Sequence, residues 1–144
     1  MKRLFVIILA TSLLIGAFSF NSSAATKEDE IVPFYNNVML EKTTFVIDTS
    51  GNATISLLYR GKSGVNSSCV IISKIQQNLS GTWVDININQ PNNEWIDEST
   101  SSVFTKNHSV QLTSHGTYRA VVVYEISGTG GATDVIERII EKTY

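Results

Sequence analysis

Apolar residues recur at every second position along most of this chain, and the pattern is strongest over residues 116–126. There Tyr118, Ala120, Val122, Tyr124 and Ile126 share one parity, while Arg119 and Glu125 share the other with Val121 and Val123. Successive side chains of a strand point to opposite faces, so this segment predicts a central antiparallel strand buried on one side. Residues 53–60 alternate almost as cleanly, with Ala53, Ile55, Leu57 and Tyr59 on the inward side and Leu58 as the exception. Residues 68–77 place Cys69, Ile71, Ser73 and Ile75 opposite Val70, Ile72, Lys74 and Gln76. Over residues 82–89, Val84, Ile86 and Ile88 oppose Trp83, Asp85, Asn87 and Asn89, which puts Trp83 out of phase with the apolar face of its strand. Such a tryptophan is expected to pack across a sheet edge or to precede regular pairing.

Shorter candidates fill the rest. Residues 43–48, 103–105 and 109–112 are strand-like, Asn36-Asn37 reads as a turn, and the polar stretch 90–102 reads as a long connection anchored by Trp95 and Ile96. Turn residues punctuate the strands at 49–52, 61–67, 78–81 and 127–131. Residues 133–144 are ambiguous. Val135, Ile136, Ile139 and Ile140 fit a helical spacing, and Asp134 with Glu137 resembles a capping box. A strand is preferred, because the glycine-rich turn directly follows a strong strand and a hairpin would protect that strand's edge. About seven short strands spaced near ten residues apart predict an all-β, Ig-like antiparallel β-sandwich.

One local signature refines that fold. Ser114-His115-Gly116-Thr117-Tyr118 has the layout of a tyrosine corner, in which Gly116 permits the bend and the Tyr118 hydroxyl returns to upstream backbone. In antibody-type domains the second disulfide cysteine stands two residues after that tyrosine; here the position is Ala120. Cys69 is the only cysteine, so no internal disulfide is available, and its neighbours Val70, Ile71 and Ile72 favour burial over a link between chains. Gly116, Tyr118, Trp83 and Cys69 are therefore structural candidates.

Composition changes the picture at the start of the chain. Lys2 and Arg3 precede an apolar run over residues 4–20 that is broken by Thr11, Ser12, Gly16 and Ser19 and followed by Ser23-Ala24-Ala25. This reads as a secretory signal peptide, residues 1–25, cleaved after Ala25. Residues 26–42 are expected to form a charged and extended N-terminal segment, and 43–144 the sandwich. Of the chain's 144 residues, 119 remain after cleavage, the size of one domain. Nine of 11 basic residues then face 13 acidic ones, a net charge near −4. No basic stripe is left, which argues against nucleic acid and against a membrane surface after leader cleavage.

The fragments Ile31-Val32-Pro33-Phe34-Tyr35, Ser50-Gly51-Asn52-Ala53, Ile75-Gln76-Gln77 with Gly81-Thr82-Trp83, and Gly116-Thr117-Tyr118-Arg119 resemble those of small exported Ig-like β-sandwich proteins of Gram-positive bacteria. The resemblance implies export and a sandwich fold, and it implies no active site.

Candidate chemistries meet specific obstacles. Asp85-Ile86-Asn87-Ile88-Asn89 begins like a calcium loop, but an EF-hand then needs glycine at its sixth place and glutamate at its twelfth, where Gln90 and Ile96 stand. Glu94, Asp97 and Glu98 leave a calcium site of another kind open. His108 and His115 are the only histidines, G-x-S-x-G is absent, and His115 is accounted for as a turn residue. A carboxylate pair for glycoside hydrolysis could be drawn from Glu94, Asp97 and Glu98, but so short a chain offers little cleft. After the expected leader, Asn-x-Ser/Thr sequons begin at Asn52, Asn66, Asn78 and Asn107 and fit a Ser/Thr/Asn-rich surface. Phe34, Tyr35, Trp83 and Trp95 either form an aromatic binding surface or cap the ends of the core. The expectation is a secreted, non-enzymatic module without cofactors that binds an extracellular protein or a cell-surface glycan, with a bacteriocin-like or inhibitory effector as the alternative.

Overall fold

The computed structural model describes residues 35–65 and 67–144. The expected signal peptide and residues 26–34 of the N-terminal segment lie outside the described residues. The described chain is all-β and forms two antiparallel sheets. Strands β1 (Val38–Ile47), β2 (Asn52–Gly61) and β6 (Val103–Gln111) make the first, in the order β1-β2-β6. Strands β3 (Ser67–Leu79), β4 (Thr82–Asp85), β5 (Trp95–Ser99), β7 (Thr117–Gly128) and β8 (Gly131–Thr143) make the second. Its order is β4-β3-β7-β8, and β5 also pairs with β3. The two short strands share one edge of β3: β5 pairs with it over Cys69–Ser73 and β4 over Gln76–Leu79.

Alternation builds the core. β7 lies between β3 and β8, and Tyr118, Ala120, Val122, Tyr124 and Ile126 are all fully buried. Cys69, Ile71 and Ile75 of the neighbouring β3 extend this layer, and across the sandwich Ala53, Ile55, Leu57 and Tyr59 of β2 join the same core with Phe45 of β1. Each fully buried valine, isoleucine or phenylalanine contributes roughly 1.5–3 kcal/mol of transfer free energy, so this layer dominates the fold. Residues 131–143 form a strand because the β7–β8 hairpin gives their backbone a ladder from Thr117↔Thr143 to Gly128↔Gly131.

Several expected boundaries move. β1 starts at Val38, so the boundary placed between residues 42 and 43 falls inside a strand; a bulge between Val38 and Leu40 breaks the alternation that would have marked it. Residues 103–105 and 109–111 belong to one strand, β6, with Leu112 just beyond its end; its middle is polar because an edge strand needs only part of one face apolar. The stretch read as a connection contains β5, and the strand expected over 82–89 ends at Asp85, where the chain turns away through Asn89, Asn92 and Asn93 at positive φ.

Polar side chains seal both open edges between the sheets. On one side, Asp134 of β8 accepts backbone N–H bonds from Asn36 at 2.8 Å, Asn37 at 2.6 Å and Val38 at 3.2 Å. Asn37, read from sequence as part of a turn, is instead fully buried. Its Nδ2 donates to the carbonyls of Ile126 and Ala132, and its Oδ1 accepts from Gly130 N–H. A Cβ at residue 130 would lie 2.4 Å from the Asn36 carbonyl oxygen, so only glycine fits there. Arg138 of β8 pairs with Glu41 of β1 on the same side. On the other side, His108 Nε2 of β6 lies 2.6 Å from Asp97 Oδ2 of β5, and the Trp95 ring stacks on His108 at 4.9 Å.

At the end of the sheets, Gly116 takes φ +153 and Tyr118, 1 % exposed, donates its hydroxyl to the Ser114 carbonyl at 2.7 Å. Tyr118→Phe removes that bond without changing shape and should lower unfolding stability by about 1–2 kcal/mol, read from the urea midpoint. Asp134→Ala strands three backbone donors at once. It should cost about 3 kcal/mol or more, with Asp134→Asn milder because one acceptor oxygen remains. Accelerated amide exchange at Asn37 and Val38 in the alanine variant would locate the loss at this clasp.

Candidate functional site

The outward faces of the two sheets differ in chemistry. On the first, Thr44, Ser56 and Asn107 stand in one cross-strand row and Val46, Thr54 and Ser109 in the next, with Thr54 and Ser109 hydroxyls 2.9 Å apart. These two rows are hydroxyl-rich, while the rows beyond them carry Leu58, Leu40 and Val103 beside Lys42 and Arg60.

The second sheet turns an apolar stripe outward. The register places Ile96, Ile72, Val123 and Glu137 in one row across β5, β3, β7 and β8. The row on one side holds Glu98, Val70, Glu125 and Val135, and the row on the other runs through Lys74, Val121 and Ile139. None of these apolar side chains is buried, and Ile96, Val135 and Ile139 are 59 %, 64 % and 49 % exposed. From the outermost Cα positions of these three rows, with strands ~4.8 Å apart and residues ~3.3 Å apart, the stripe spans roughly 190 Å². Contiguous apolar surface left uncovered on a sheet is a candidate interaction site.

A polar corner borders the stripe. Asp85 of β4 accepts from Gln76 Nε2 at 2.6 Å and lies 3.5 Å from Lys74 Nζ, which is also 3.8 Å from Glu94. Gln76 Oε1 in turn accepts from Arg119 Nε at 2.7 Å, and the Arg119 guanidinium sits 4.3 Å above the centre of the Trp83 ring. Trp83 is thus within regular pairing, opposite Asn78, and its out-of-phase position puts the ring on the outer face under a cation. The chain of contacts fixes β4 onto β3 and β7 and leaves Arg119 and Lys74 already engaged.

The other sequence candidates are dispersed. Asp85 and Glu94 share Lys74, Asp97 is taken by His108, and Glu98 points outward from β5, so the carboxylates considered for calcium do not converge. Among the described residues no three His, Cys, Asp or Glu side chains group as metal ligands. His115 lies against Tyr144, with ring centres 4.2 Å apart, whereas His108 in β6 is held by Trp95 and Asp97. Of the aromatic set, Tyr35 and Trp95 pack against the core while Trp83 stands on the outer face, and Phe34 lies outside the described residues. Gly116 and Tyr118 build the corner described above, and Cys69 is a free thiol buried in the core. Sequence reasoning noted the apolar members of the mixed faces of β3 and β7 but assigned them no role. The signal that could have found the stripe was Val70, Ile72, Val121, Val123, Val135 and Ile139 standing on the face opposite each strand's core residues.

Burial pushes the Cys69 thiol up to about 12 and does the same to the Tyr124 phenol, against a smaller opposing effect of its bond with Thr43. Both groups hold their protons in the folded chain at pH values where the unfolded chain has lost them. Stability is therefore fully present below about pH 9 and declines as pH rises toward 12, by a few kcal/mol. Urea midpoints should be flat from about pH 6 to 8 and fall above about pH 9, less steeply in Cys69→Val. Cys69 should react with an aromatic disulfide reagent only after unfolding.

No protein-family model matches the chain, and no curated protein matches it.

Proposed function

We propose that this chain is a secreted, non-enzymatic Ig-like module that acts by binding through the outer face of its second sheet. The observation that carries this reading is the part-exposed stripe around Ile72, Val123 and Ile139, lying on three central rows of a sheet whose other face carries the core. Strand order supports the Ig-like part. In chain order, strands 1-2-6 and 3-7-8 adjoin as A-B-E and C-F-G do in such sandwiches, with β4 and β5 in the place of an added edge strand. The Tyr118 bond to Ser114, at the start of the strand equivalent to F, supports it further.

The chemistry of the face favours adhesion over catalysis. Its acids and bases are either paired with each other, as Lys74 is with Asp85 and Glu94, or stand apart on a flat surface. A flat sheet face excludes little water, and general acid–base work gains most where water is excluded.

Ile96→Gln with Ile139→Gln makes the stripe polar at two exposed positions without adding charge and should leave the unfolding free energy within about 0.5 kcal/mol of the parent. Immobilised parent protein should retain a defined component from conditioned medium of its own host, and the double variant should not. Equal retention by both, or none by either, overturns binding through this face. Growth inhibition by the purified protein would instead move the chain to the inhibitory effector class.

A further inference from the structure

The rim of the apolar stripe carries one sign of unpaired charge. Glu98, Glu125, Glu137 and Glu141 all point outward on the second sheet, from β5, β7 and β8, and all four are exposed. Among the described residues none of the four forms an ion pair, whereas the two cations on the same face are occupied: Lys74 by Asp85 and Glu94, Arg119 by Gln76 and the Trp83 ring. The face therefore presents hydrophobic surface interleaved with free carboxylates.

That charge pattern selects among occupants. A second copy stacked on this face would bring eight unpaired glutamates together around one apolar patch, and like charges brought together in an interface cost several kcal/mol. An anionic or purely polar partner meets the same carboxylates without gain. A partner with an apolar strip flanked by lysine or arginine buries the stripe and pairs with the rim at the same time.

We propose that the outer face of the β3-β7-β8 sheet, together with β5, docks a cationic amphipathic polypeptide, one presenting a strand or hairpin face of alternating apolar and basic residues. This rests on the binding reading above and names the partner class of that face. Spacing supports it: neighbouring residues of one row are one strand apart and rows are two residues apart, so a hairpin laid along β7 can alternate apolar contacts at Val121 and Val123 with cations at Glu125 and Glu137. A contact patch of this size is small for a protein interface, which makes the expected binding weak and transient. Attraction between exposed charges should make it salt-dependent.

The test uses a designed hairpin of alternating valine and lysine, with one control in which glutamine replaces every lysine and a second in which glycine replaces every valine. Binding is read by fluorescence anisotropy on the full secreted chain. The lysine–valine hairpin should bind, at least tenfold more tightly than either control, and about tenfold more weakly to Glu125→Lys/Glu137→Lys. Equal binding of the glutamine hairpin, with no effect of the charge reversal, overturns the cationic preference while leaving the face a binding surface. Equal binding of the glycine hairpin reduces the effect to bulk charge and overturns the apolar part of the proposal. No binding of the lysine–valine hairpin overturns the partner class outright, and the medium-retention experiment then decides the fate of the face separately. Glu98→Lys/Glu141→Lys reverses the opposite corners of the rim and serves if the first double variant is destabilised; an unchanged affinity there also counts against the proposal.

Discussion

The sandwich depends on the close packing of the inner face of β7 against both sheets without any covalent link. The chain's single thiol, Cys69, is on β3 and has no cysteine to pair with, so dispersion and apolar burial hold the layers. Two of the five buried side chains of β7 are tyrosines, and each phenol needs a partner to justify its burial. Tyr118 finds the Ser114 carbonyl at one end of the strand, and Tyr124 finds Thr43 and the Lys42 carbonyl across the sandwich on β1. A third, Tyr59 of β2, meets Ser67 at the start of β3. Hydroxyl bonds thus register the sheets against each other where a disulfide is missing.

The edges complete the same task with charge. Asp134 gathers three consecutive N–H groups at the entry to β1, and His108 with Asp97 bridges β6 to β5 on the opposite side. The Asp134 clasp joins strands far apart in sequence and the His108 clasp joins two consecutive ones, and both rely on a carboxylate placed where the sheets part. Asp97 and His108, which a sequence search would offer to calcium or to catalysis, are consumed in this way. The outward surface carries mixed polar and apolar rows on the first sheet and an apolar, glutamate-rimmed stripe on the second.

Much of the strand content was legible because alternation is a strong signal wherever one face is buried, as in β2, β3 and β7. Detection failed where that condition lapsed. β5 pairs over only part of β3 and carries Asp97 and Glu98, so its five residues look like loop. The polar middle of β6 hid its continuity, and the bulge after Val38 hid the start of β1. The C-terminal segment shows the reverse: its apolar residues suit two periodicities, and pairing with β7 selects the strand.

By itself the sequence determined the all-β class, the inward parity of the long strands and the burial of Tyr118, because those follow from local alternation and from a bend that Gly116 permits. Only the tertiary structure decided that Asn37 is a buried clasp, that Trp83 lies under Arg119, and that Ile96, Ile72, Val123 and Ile139 lie close together as one uncovered stripe. Each of these is a relation between strands distant along the chain, fixed by register and strand order, and a single strand's pattern carries no information about which neighbour its outward face will meet.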